Sequence, residues 1–121
     1  MLQMGRPNPV SGCPLTAALA AVGGKWKFLI VYNLKSGPTH FAALRRALPG
    51  ISQKVLAEQL RELMWDQIVS RERTGEIPAP VVYALTEYGR RLEPLLEGMR
   101  VWGNGHIDRL REAETQAVAS D

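Results

Sequence analysis

The chain has 121 residues, so a single domain with one modest core is the expectation. Hydrophobic residues make up 45% and charged residues 22%, as in ordinary soluble globular proteins; no run approaches the ~18 apolar residues of a membrane span, and the lone Cys13 excludes an intrachain disulfide. The net charge of +3 and pI near 9.4 favour a polyanionic partner without establishing one.

Residues 1–12 (MLQMGRPNPVSG) are rich in Pro, Gly and polar residues and read as a flexible arm. A first helix is predicted from Pro14, a residue suited to a first helical position, with Leu15, Ala18, Leu19 and Val22 on one face. Gly23-Gly24 ends it. A second helix, about Lys25 to Lys35, has Trp26, Leu29, Ile30, Asn33 and Leu34 as its inner stripe and stops at Ser36-Gly37-Pro38. A short third helix covers roughly His40 to Leu48, with Phe41, Leu44 and Leu48 inward. Pro49-Gly50-Ile51 makes a tight turn, and Ser52 caps a fourth helix that runs to about Trp65 and buries Leu56, Leu60 and Leu63.

Two extended runs follow, Ile68 to Arg73 and Val81 to Leu85; in the second, Val81, Tyr83 and Leu85 share a face. The link between them holds Pro78 and Pro80 and reads as a long exposed loop. Thr86 caps a final helical region whose apolar side is Leu92, Leu95, Leu96, Met99 and Trp102. Pro94 is predicted to bend it, and Gly103-Asn104-Gly105 to interrupt it before a last helix from about His106 to Ala113. The domain organisation is then an arm over 1–12, a folded domain over 13–114 and a frayed tail over 115–121.

This order is mainly α with a small β-hairpin, an α+β class. The third helix, the turn and the fourth helix read as helix-turn-helix, and the hairpin as a wing. Charge agrees: residues 1–39 carry +4 and 40–61 carry +3, whereas 62–86 and 87–121 carry −2 each. One end of the molecule should face phosphate. On the fourth helix, Lys54, Glu58, Arg61 and Trp65 lie opposite the leucine stripe, Ala57 sits on the flank, and Ser52 and Gln53 occupy the first turn. Arg can pair with guanine, Gln with adenine, and Ala can touch a thymine methyl. A merely solvated helix face has the same residue types, so this pattern alone leaves both readings open.

Three segments carry a resemblance: CPLTAALAAVGGKWKFLIVYNL (13–34), FAALRRALPGISQKVLAEQLREL (41–63) and YALTEYGRRLEPLLEGMRVWG (83–103). With Cys-Pro, Gly-Gly-Lys-Trp, Leu-Pro-Gly-Ile-Ser and Leu-Thr-Glu-x-Gly in that order, the chain resembles the HxlR-type regulators, a branch of the MarR-like winged helix-turn-helix proteins. The resemblance implies a homodimer that controls transcription, most simply as a repressor, on double-stranded operator DNA. By position it implies Ser52, Gln53, Lys54, Ala57 and Arg61 as base and phosphate contacts. His40 stands where relatives often have Arg or Lys, and Arg71 and Arg73 remain as wing bases, offset by Glu72 and Glu76. Pro80 replaces a frequent Lys, Val82 a frequent Glu, and Gln67 a usual Gly. These departures keep a second reading alive, a winged-helix protein-interaction module without operator binding.

Cys13 precedes Pro14 at the start of the first helix, where a thiol has a lowered pKa. Some relatives sense oxidants or electrophiles with a cysteine at this Cys-Pro position; the alternative is a structural thiol near a dimer interface. The apolar sides of the end helices exceed what a small core can bury, so Leu15, Leu19, Leu95, Leu96, Met99 and Trp102 are expected to pair across a two-fold axis. Trp26 and Trp102 read as core or interface, and Trp65 as packing under the wing. An effector pocket lined by the first, second and last helices is a further reading. Cys13, His40, His106 and Asp66 suggest no catalytic or metal-ligating set, so no enzyme and no cofactor are expected. No leader core and no membrane partner are expected, which points to the cytoplasm and the nucleoid of a bacterial or archaeal cell.

Overall fold

The computed structural model describes residues 12–73 and 80–120. The chain divides into a unit that ends at Arg91 and a second that starts at Leu92. The first unit contains α1 (Pro14–Val22), α2 (Lys27–Leu34), β1 (Thr39–His40), α3 (Phe41–Arg46), α4 (Gln53–Trp65), β2 (Val69–Arg73), β3 (Val81–Leu85) and α5 (Glu87–Arg90). The second is one helix, α6 (Glu93–Ser120). The arm over residues 1–11 and the wing loop over residues 74–79 lie outside the described residues.

The core of the first unit gathers Ile30, Val31 and Leu34 of α2, Leu44 and Leu48 around α3, and Leu56, Leu60 and Leu63 of α4. The i, i+4, i+7 leucine stripe of α4 is buried as its spacing predicts, at roughly 2 kcal/mol for each side chain taken from water. The stripe of α2 is not the predicted one. Ile30 and Leu34 are buried, but so are Lys27 and Val31, whereas Leu29 is 44% exposed and Trp26 and Asn33 are half-buried. The segment KFLIVYNL is apolar nearly all round, so its periodicity cannot select a face.

The sheet is three-stranded and antiparallel, in the order β1-β3-β2, with Thr39 opposite Tyr83, Val69 opposite Leu85 and Arg73 opposite Val81. The two-residue β1 was not expected, because so short a strand has no period. It takes His40 out of α3, which starts at Phe41. Along β3, Val82, Ala84 and Leu85 are the buried residues, with Val81 and Tyr83 half-buried.

Thr86 caps α5: its hydroxyl donates to the Gln67 carbonyl at 2.6 Å and accepts from the Gly89 amide at 2.9 Å. Gly89 is buried, and a Cβ there would run into the Ile68 carbonyl. The Leu-Thr-Glu-x-Gly motif thus fastens α5 to the start of β2. The final helical region is interrupted just before Pro94. It stops at Arg90, whose carbonyl would need the N–H that Pro94 lacks, and restarts with Pro94 in the first turn of α6, where no N–H is required. The expected break at 103–105 is absent. Glycine costs about 1 kcal/mol in a helix but keeps its backbone hydrogen bonds, and α6 runs unbroken to Ser120, through residues expected to fray. Among the described residues no single helix is long and apolar enough to cross a membrane; α1 and α2 satisfy the length and composition only as a pair bent by 73°.

Candidate nucleic-acid interface

The turn between α3 and α4 is built for a sharp reversal. Gly50 takes φ = 92°, the Ile51 amide donates to the Leu48 carbonyl at 3.1 Å, and the Arg45 Nε–H donates to the Ile51 carbonyl at 3.3 Å. Ser52 then caps α4, its Oγ accepting from the Val55 amide at 3.0 Å. The unpaired amides of the first helical turn favour an anion there.

Ser52, Gln53, Lys54, Ala57 and Arg61 are all exposed and share one helix, opposite the buried leucines. Glu58 is half-buried beside them. Glu62 is withdrawn from the row: its Oε1 meets the Lys27 ammonium at 2.6 Å. Lys27 belongs to the basic half of the sequence, yet it is buried and cannot face phosphate.

The wing strands set Arg71 and Arg73 on one sheet face, both exposed, across from Tyr83 and Val81. Glu72 projects to the opposite face and accepts from the Ser70 hydroxyl at 3.1 Å, so it does not lie between the two arginines. His40 is an exposed strand residue, not the first turn of a helix. Its Nδ1 lies 3.2 Å from the Val81 carbonyl, so the ring is turned to the sheet edge it pairs with. Arg45 and Arg46, exposed in the last turn of α3, were not singled out from the sequence. Their place one turn before the Pro-Gly reversal was the signal that could have found them.

Cys13 is exposed at the N-cap of α1, away from this row in sequence and element. The Thr16 side chain, then the amides of Thr16 and Leu15, hold its thiol below the usual range. Of the residues expected at a dimer interface, Leu15 is 75% and Trp102 69% exposed, and Leu19, Leu95 and Met99 are exposed as well. Leu96 differs from them in being buried, at 5% exposure. Trp65 is half-buried.

A helix-turn-helix whose second helix buries one face and exposes a polar, basic one, followed by an antiparallel wing, defines a winged-helix transcription regulator. The chain belongs to the HxlR-like helix-turn-helix family, whose profile matches residues 21–111. It is 41% identical over 110 residues to the HTH-type transcriptional regulator YdeP of Bacillus subtilis, covering 91% of this chain and 86% of that one. Among solved structures, the redox regulator HypR in its reduced form superposes with a TM-score of 0.76 at 42% identity, covering 83% of this chain and 99% of HypR. The reduced form of the regulator YodB from B. subtilis gives a TM-score of 0.69 at 39% identity, over 76% of this chain and 91% of YodB.

Proposed function

We propose that the protein is a homodimeric repressor that binds operator DNA in a sequence-specific manner, each subunit laying α4 in a major groove. The observation that carries this reading is the exposed row Gln53, Lys54, Ala57 and Arg61 behind a capped helix start. From Gln53 to Arg61 the row spans about 12 Å at 1.5 Å per residue, the width of a B-DNA major groove. Arg61 would pair with a guanine, Gln53 with an adenine, and Ala57 would contact a thymine methyl, while Ser52 and Lys54 hold phosphate. Arg71 and Arg73 add wing contacts to the backbone or minor groove. His40 adds little. The site of action is the nucleoid in the cytoplasm.

Cys13 is the proposed point of control, by oxidation or electrophile capture; a small effector is the other route. Its exposure, its lowered pKa and the likeness to redox regulators support the thiol. Selection of genomic fragments by the purified protein would supply the operator. On that operator, Arg61→Ala should cost roughly 1–3 kcal/mol and relax specificity at one base pair. Affinity should fall with salt at a log–log slope of about −0.9 per phosphate contact. Equal weakening on operator and random DNA would remove the base-reading role of Arg61. Failure of any fragment to bind at low salt would favour the interaction-module alternative.

A further inference from the structure

Among the described residues, Lys27 is the one buried charged side chain, at 5% exposure. Its position breaks two local rules. It is the first residue of α2, at the positive end of the helix dipole, with no acidic residue in that turn. It also removes an ammonium from water, a cost of several kcal/mol that a single partner seldom repays in full. An apolar side chain would suit a helix whose other buried residues are Ile30, Val31 and Leu34. Stability alone therefore does not account for Lys27.

Its partner supplies the reason. The 2.6 Å contact is to Glu62, which directly follows Arg61 on α4. Leu56, Leu60 and Leu63 hold the body of α4, but their burial is non-directional and tolerates a small roll or slide of the helix. An ion pair tolerates much less, since its attraction offsets desolvation only at good geometry. A roll of one helical position is 100°, so even a fraction of it moves Arg61 away from a base edge.

We propose that the Lys27–Glu62 pair is a positioning device that sets the rotation and axial register of α4, and so the fidelity of base reading rather than the stability of the fold. The proposal rests on the reading that α4 enters the major groove. The same pair keeps the Glu62 carboxylate from adding its repulsion to the phosphate-facing row.

The test compares affinity for the selected operator with affinity for random duplex, at one salt concentration, alongside thermal melting. Replacing both partners, Lys27→Met with Glu62→Met, should leave melting near the wild-type value. Operator affinity should fall about tenfold, the scale of one lost base contact, with random-duplex affinity unchanged. Loss of folded protein would lower both affinities together, so the ratio separates positioning from structural support. Glu62→Asp gives a second comparison if the double variant does not fold: it keeps both charges but draws the carboxylate back by one methylene, and it too should lower the ratio. A folded double variant, or Glu62→Asp, with the wild-type ratio would overturn the proposal. A wild-type protein with no fragment preference would instead overturn the reading of α4, and the positioning role with it.

Discussion

Single side chains carry chemistry that composition does not reveal. Cys13 sits at a helix start where the Thr16 hydroxyl, and after it the amides of Thr16 and Leu15, stabilise the thiolate. A lowered pKa raises the thiolate fraction at neutral pH, and the thiolate is the reactive form. Alkylation by iodoacetamide, followed across pH, should therefore show a midpoint below that of an ordinary cysteine. Thr16→Val should move the midpoint upward and slow the reaction at neutral pH; an unmoved midpoint would assign the shift elsewhere. Lys27 is the opposite case. Counted by sequence it adds to a basic end, but the fold spends it on Glu62. His40 likewise has its Nδ1 against the Val81 carbonyl.

At the scale of elements, ends matter more than middles. The C-terminus of α4 closes with Gln67 at φ = 63°, its amide donating to Met64 at 3.0 Å and the Ile68 amide to Leu63 at 2.9 Å. This is a Schellman cap with a non-glycine residue in the left-handed position. Gln67→Gly should stabilise the fold by about 1 kcal/mol by removing the Cβ strain, read as a higher midpoint in denaturant at unchanged slope. No gain would mean that the Gln67 side chain makes good the strain. Helix starts were legible because Ser52 and Thr86 are strong caps and Pro14 a good first residue. The glycines of α6 misled, since low propensity is a cost and not a stop. Thr39-His40 stayed hidden because its extended form is imposed by β3.

For the whole molecule, the apolar surface left outside is the main open quantity. Leu15 and Leu19 in the first unit, and Leu95, Met99, Trp102 and Leu110 in the second, are all exposed. Patches of this kind mark interaction sites. A homodimer is expected by sedimentation equilibrium at micromolar concentration, and Trp102→Glu should weaken it by roughly 2 kcal/mol or more, as loss of an aromatic anchor does. Operator affinity should fall with it, because two linked recognition helices bind far better than one. A wild-type monomer under those conditions would contradict the dimer.

The helix-turn-helix, the two wing strands and the leucine stripe of α4 were determined by the sequence itself, since each depends on local spacing, caps and breakers. The exposed row from Ser52 to Arg61 follows from that stripe by helical geometry alone. Which face of α2 is buried, which cations remain at the surface and where the long helix restarts were decided only by tertiary structure. An all-round apolar helix has no preferred side until neighbours exist. A lysine has no partner until a glutamate 35 positions away is brought to it. The basic end of the chain is thus drawn by sequence, but which of its cations stay at the surface is set by the fold.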